Sequence, residues 1–132
     1  PPPAVSSGVL CVGAWEDRNY FHQPAFSFFT REENIMPDLW APGDDVVSVL
    51  SPDYDFSLPN RSRDKIVDGR YIRMSGASMA TPLVSGAAAL LLEKYPRARP
   101  EEIKRLLLQA ADWNNGLMDR ELCIKLSRKV VK

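Results

Sequence analysis

The feature that most restricts the fold of this chain is a long uncharged stretch behind a glycine and a serine. From Gly76 to Leu92 there is no charged side chain, and the part after Pro82 is almost entirely apolar. This pattern predicts a helix over about 80–95 that is buried nearly all round. Pro82 would lie in its first turn, where a missing N–H costs nothing. Gly86 would lower helix stability by about 1 kcal/mol relative to alanine, which predicts a packing reason such as close approach of another backbone.

Short apolar segments precede this helix and two more helical segments follow it. Residues 8–15, GVLCVGAW, are apolar throughout, as in a strand of a parallel sheet that is buried on both faces. Apolar residues recur at helical spacing over 100–111, and a third helix is predicted from Asp119, as its N-cap, to the late 120s. Further short strands are predicted at 25–29, 38–40, 46–50 and 70–75. The prediction is an α/β fold: part of a parallel sheet flanked by helices, ending in two or three C-terminal helices.

Charge and length limit the function. Seventeen basic and 17 acidic residues give a net charge of zero, which argues against nucleic acid or an anionic membrane as the main partner. The longest apolar run, 86–92, is far too short to span a bilayer. The sequence begins Pro1-Pro2-Pro3, with no initiator methionine and no signal-peptide pattern, so we expect the 132 residues to be cut from something longer.

The two cysteines, Cys11 and Cys123, are expected to be separate, mostly buried thiols. A disulfide between them would require Cα atoms within ~7 Å, which the sequence does not show. Two cysteines and one histidine do not make a zinc site.

Ser78 is the candidate for chemistry. A nucleophilic serine needs an exposed hydroxyl, donors for the developing oxyanion and a base, and a strand–tight turn–helix junction supplies the first two. Gly76 permits the close turn, and the free N–H groups of the following helix favour negative charge nearby. The alternative is an ordinary N-cap serine, which is common before helices.

Several motifs resemble the subtilisin-like serine proteases (subtilases, peptidase family S8). Residues 76–82, GASMATP, with VSG at 84–86, are similar to that family's serine motif. Three upstream segments occur in the family's order and support this resemblance: VLCVGA at 9–14, FSF at 26–28 and DLWAPG at 38–43. Residues 101–111 match the helix that follows the serine helix in the family. The resemblance covers about 5–112, with a polar loop insertion at 52–69 and a basic C-terminal extension at 113–132. It implies that residues 1–132 are the C-terminal portion of one subtilase catalytic domain, with a subtilisin-like parallel sheet.

The resemblance implies a serine endopeptidase in which Ser78 is the nucleophile of a Ser-His-Asp triad. The family's Asp and His motifs, and the Asn that donates to the oxyanion, belong upstream of this chain, so the chain alone is expected to be inactive. Ala77 and Leu83 replace the family's usual Thr and His, and since neither takes a proton, activity should tolerate both. His22, the one histidine, matches a surface turn and is expected to be an ordinary exposed residue.

The resemblance also implies partners and a metal to consider. Many subtilases bind calcium through an Asp at the position of Asp38, with carbonyls that Ser7 and Val9 would supply here. Calcium prefers six to eight oxygen ligands, and a single carboxylate is a weak basis for such a site. An ordinary surface Asp is therefore favoured at position 38.

Expected partners are a protein or peptide substrate and the N-terminal half of the same domain, or a second copy of this chain. Secretion is favoured by the resemblance only. The alternatives are a pseudoprotease with a subtilase-like fold serving binding or regulation, and an unrelated α/β interaction domain.

Overall fold

A computed structural model describes residues 8–15, 37–114 and 116–127 of the chain. The predicted strand at 25–29 and His22 lie outside these residues. The described part contains five strands and three α-helices, in the order β1 Val12–Trp15, β2 Leu39–Pro42, β3 Val46–Val49, β4 Ile66–Val67, β5 Tyr71–Met74, α1 Ala77–Lys94, α2 Pro100–Asp112 and α3 Arg120–Ser127. The α/β prediction is confirmed, and no helix of the described residues is both long and apolar enough to cross a membrane.

The strands form two separate sheets. β1 and β2 are parallel, with Val12 opposite Leu39 and Trp15 opposite Pro42. β3, β5 and β4 form an antiparallel sheet in that order. Parallel pairing among the described strands is therefore limited to β1 and β2, and the fold mixes both kinds of pairing where only a parallel sheet was predicted.

A short segment after α2 extends the parallel pair, which no pattern in the sequence predicted. Trp40 donates its N–H to the Gly116 carbonyl at 2.8 Å, and its own carbonyl accepts from the N–H of Met118 at 2.6 Å. The side chain of Met118 is fully buried. These bonds join the C-terminal segment to β2 and so bring α3 against the core.

One core lies between the parallel strands and the helices. α1 packs against β1, β2, α2 and α3. Its buried face recurs at helical spacing and meets small residues of the strands and apolar residues of α2. The core residues are Ala14, Leu39, Ala41, Ala80, Val84, Ala87, Leu91, Ile103, Leu107, Ala110, Ala111, Met118 and Leu122.

Three expectations about α1 are wrong. The helix begins at Ala77 rather than near 80, so Pro82 lies in its second turn and its missing N–H leaves the Ser78 carbonyl without a helical donor. The helix is not buried nearly all round in the described chain, because Leu83 and Leu92 are 38% and 43% exposed. Nothing in the described chain lies within 4 Å of where a Cβ on Gly86 would be.

Two other local predictions are confirmed. Asp119 caps α3, since its Oδ1 accepts the N–H of Leu122 at 2.8 Å. The 51–69 segment is an exposed loop that includes a 3-10 turn and the two residues of β4. Its own side chains order it, because the guanidinium carbons of Arg61 and Arg63 lie 4.5 Å from the ring centroids of Tyr54 and Phe56, respectively.

The open surroundings of Gly86 lead to a stability prediction. Gly86→Ala should raise the free energy of unfolding of the 132-residue chain by about 1 kcal/mol, because helix propensity improves and no described atom meets the added methyl group. Urea unfolding followed by circular dichroism measures the change. A lower stability would show that this side of α1 is covered, for example by a second copy of the chain.

Candidate active site

Ser78 lies at a junction of strand, turn and helix. β5 ends at Met74, the turn contains Ser75 and Gly76, and Ser78 is the second residue of α1. Gly76 has a φ of 147°, which side-chain-bearing residues rarely adopt, so the abrupt change from strand to helix requires glycine here. The sequence predicted this kind of junction.

The hydroxyl of Ser78 is exposed, and within the described residues it makes no hydrogen bond. The N-cap of α1 is Gly76, with no side-chain cap, so Ser78 does not have the capping role that was the alternative interpretation. Its backbone N–H belongs to the first turn of the helix, where N–H groups have no intrahelical acceptor. The junction therefore offers a hydroxyl and a neighbouring N–H at the positive end of a helix.

The turn before Ser78 rests on Gly43, which directly follows β2. Gly76 donates its N–H to the Gly43 carbonyl at 2.7 Å, and Gly43 donates its own N–H to the Trp15 carbonyl at 3.0 Å. A Cβ on Gly43 would lie 2.5 Å from the Cβ of Ala14 and 2.8 Å from the Gly76 oxygen. The absence of a side chain at Gly43 is what lets the two turns meet.

A second contact between these turns involves side chains. Ser75 donates its hydroxyl to Asp44 Oδ1 at 2.8 Å, and Ser75 Oγ accepts the N–H of Asp45 at 3.0 Å. Asp45 has a φ of 50°, in the left-handed region. Sequence reasoning missed this cluster. The available signal was a pair of aspartates after a turn glycine, together with a hydroxyl residue before Gly76.

Asp38 is engaged in a structural contact. Its Oδ2 accepts the N–H of Cys11 at 2.7 Å, and its own N–H donates to the Cys11 carbonyl at 2.9 Å. The Val9 carbonyl, which the resemblance made a candidate calcium ligand, accepts from the Lys104 ammonium at 2.7 Å. These contacts do not fit a calcium site, because a cationic group already occupies one of the oxygens. No group of three or more His, Cys, Asp or Glu side chains suited to a metal is found among the described residues, and Ser7 lies outside them.

The two cysteines are separate free thiols, as predicted, but both are only partly buried, where mostly buried thiols were expected. Burial, followed by the charge of Asp119, raises the pKa of the Cys123 thiol, and burial, followed by the charge of Asp38, raises the pKa of Cys11. A raised pKa keeps both thiols protonated near neutral pH, so neither is a strong nucleophile. The chain's one histidine, His22, is outside residues 8–15, 37–114 and 116–127. Ser78 therefore has no histidine beside it within the described structure.

Comparison with known proteins identifies the family. A model of the subtilase family matches residues 2–123. The chain belongs to the subtilase family. The match continues past residue 112, where the resemblance read from the sequence ended, into α3.

Known subtilases are similar over most of the chain. The serine protease AprX of Bacillus subtilis is 39% identical over an alignment of 118 residues that covers 83% of this chain and 26% of AprX. An extracellular serine proteinase of a Thermus species is 35% identical over 112 residues, 85% of this chain and 22% of that protein. The crystal structure of fervidolysin from Fervidobacterium pennivorans superposes with a TM-score of 0.64 and 28% identity, covering 93% of this chain and 20% of that chain.

These comparisons support a subtilisin-like α/β fold and exclude the interpretation as an unrelated interaction domain. The chain spans about a quarter of the length of AprX and a fifth of fervidolysin.

The contact between the two glycine turns leads to a second stability prediction. Gly43→Ala should lower the free energy of unfolding by about 1–3 kcal/mol, since the new methyl group would overlap Ala14 and the Gly76 carbonyl. The same urea titration measures it, and Gly86→Ala is the matched control for the bare exchange of glycine for alanine. Equal effects of the two substitutions would contradict the close approach.

Proposed function

We propose that the chain is the C-terminal portion of a serine endopeptidase domain and that Ser78 is its nucleophile. The observation that carries the proposal is the placement of an exposed hydroxyl without a hydrogen bond at the first turn of α1, inside the GASMATP motif of a subtilase. The relatives named as serine proteases support the same reaction class.

The proposed reaction divides its groups between this chain and an upstream part of the domain. Ser78 Oγ forms a bond to the carbonyl carbon of a peptide while an upstream histidine, oriented by an upstream aspartate, takes the hydroxyl proton. The Ser78 N–H and an upstream asparagine stabilise the oxyanion. The histidine then gives its proton to the leaving amine, and water hydrolyses the acyl-enzyme. Among the described residues the chain supplies a nucleophile and a donor but no histidine, and in this proposal it is inactive without the upstream part.

An apolar surface beside α1 supports the proposal that an upstream part of the domain packs against this chain. An apolar cavity of about 630 Å³ opens between β1, α1 and α2. Its walls include Leu10, Val12, Val84, Ala88 and Leu92. Apolar surface of this kind is stabilised when another element covers it. Among the described strands β1 pairs on one side only, so its other edge is available to a further strand. The proposed occupant is the N-terminal half of the same domain, and self-association of the chain is the competing outcome.

The substrate class and location follow from the same proposal. A protein or peptide is the substrate of a serine endopeptidase. Secretion is favoured by relatives such as the extracellular proteinase of Thermus. No step of the reaction depends on calcium.

Fluorophosphonate labelling tests the proposal directly. Mass spectrometry should find the label on Ser78 when the upstream half is present, and no label on the 132-residue chain alone, because only the upstream half brings a histidine to the hydroxyl. Ser78→Ala should abolish labelling. Ser62→Ala is the control, since Ser62 is exposed and makes no side-chain cap.

Two outcomes would contradict the proposal. Labelling of the lone chain would mean that a base lies within it and would return His22 to consideration. No labelling with the upstream half present would support the pseudoprotease.

A further inference from the structure

We propose that Asp44 is a positioning residue for Ser78 and that it acts through the hydroxyl of Ser75. The inference rests on the proposed function, because it concerns how the nucleophile is held for that reaction. Neither residue contacts substrate in the proposal. Their role is to fix the turn from which Ser78 projects.

The hydrogen bonds of Ser75 determine the direction of its hydroxyl. A serine hydroxyl has one proton to donate, and Ser75 gives it to Asp44 Oδ1 at 2.8 Å in a partly buried site. Its oxygen then accepts the N–H of Asp45 at 3.0 Å. A hydrogen bond to an ionised carboxylate is stronger than one between neutral groups. Ser75 is thus held on both its donor and its acceptor side.

Backbone geometry carries this restraint towards Ser78. Ser75 is followed by Gly76, whose N–H bonds to the Gly43 carbonyl at 2.7 Å and whose own carbonyl accepts the N–H of Met79 at 3.0 Å. Glycine has the widest conformational freedom of any residue, so its φ of 147° must be set by its neighbours. Three hydrogen bonds between residues 43–45 and residues 75–76 supply that restraint on the strand side of the turn.

The backbone conformation of Asp45 also indicates that these contacts hold the turn ahead of Ser78. Its φ of 50° is unfavourable for a residue with a side chain, although aspartate tolerates this region better than most. This conformation accompanies the bond from the Asp45 N–H to Ser75 Oγ. The adjoining hairpin is already paired through Val46 and Met74. The additional contacts are therefore more than the pairing of β3 with β5 requires, which points to the turn ahead of Ser78 as the part they hold.

Double-mutant kinetics test the role in the full-length protease. Ser75→Ala and Asp44→Ala should each lower the maximal rate of fluorophosphonate labelling about five- to tenfold, because the hydroxyl of Ser78 spends less time in its reactive position. The concentration of reagent for half-maximal rate should stay unchanged. The double variant should be no slower than the slower single variant, since both substitutions remove the same hydrogen bond between Ser75 and Asp44. Ser75→Thr and Asp44→Asn keep a hydroxyl and an acceptor oxygen, respectively, and should recover most of the rate.

The chain contains a matched control in its insertion. Ser57 donates its hydroxyl to Asp55 Oδ1 at 2.6 Å, in an exposed loop beyond the far end of the β3–β5 hairpin. Ser57→Ala and Asp55→Ala remove the same kind of bond and should leave the labelling rate unchanged. Thermal unfolding of every variant shows whether each remains folded at the assay temperature.

The outcomes separate this inference from the proposed function. Wild-type rates in Ser75→Ala and Asp44→Ala, with labelling of the wild-type protein intact, would overturn the positioning role alone. Equal losses in the Asp55–Ser57 control pair, or additive losses in the double variant, would also overturn it. A wild-type protein that is not labelled at all would overturn the proposed function and this role with it.

Discussion

The hydrogen bond from the Gly76 N–H to the Gly43 carbonyl, 2.7 Å long, is the contact on which the candidate active site depends. It joins the end of the parallel β1–β2 pair to the turn that starts α1, and it is possible because Gly43 has no side chain in the way. Through Gly43 it continues to the carbonyl of Trp15 in β1. The position of Ser78 is therefore tied to the sheet by backbone bonds, which leave its hydroxyl exposed for chemistry.

In the proposed reaction, this chain provides only some of the groups that are needed. It holds a hydroxyl and a backbone donor at one junction, but the described residues include no histidine that could take a proton. The packing of α1 is also one-sided: the helix has no charged residue before Glu93, yet only one face packs on the core, and exposed residues such as Leu92 lie beside an apolar cavity. The proposed function explains both observations by an upstream part of the domain that covers α1 and carries the base.

Most of the local structure could be predicted from the sequence because it depends on short-range patterns. Short apolar runs and the helical spacing of apolar residues indicated most of the strands and all three helices, and the chemistry of Asp119 indicated the start of α3. The exposed face of α1 could not be predicted, since the sequence shows that a helix lacks charge but not whether its partner is present. Pro82 was wrongly placed in the first turn of the helix because the predicted helix start was three residues too late. Proline is common in a first turn, so the proline itself had suggested that start.

The parts of the site that sequence reasoning missed are contacts between distant segments. Asp44 and Ser75 are 31 positions apart, and Trp40 pairs with a segment near Leu117. Neither pairing follows from periodicity or from a local motif, because each depends on how β2 is placed against later residues. Ser78 was found because its neighbours form a motif, whereas the residues that hold its turn lie outside that motif.

Amide hydrogen exchange at Gly76, measured by NMR on the 132-residue chain, tests most directly whether the serine turn is held by this chain itself. We predict that the Gly76 N–H exchanges more slowly than an unprotected amide, by about tenfold or more, because the Gly43 carbonyl protects it. Exchange at the unprotected rate in a folded chain would contradict the account. It would mean that the turn carrying Ser78 is not formed by the contacts described for this chain.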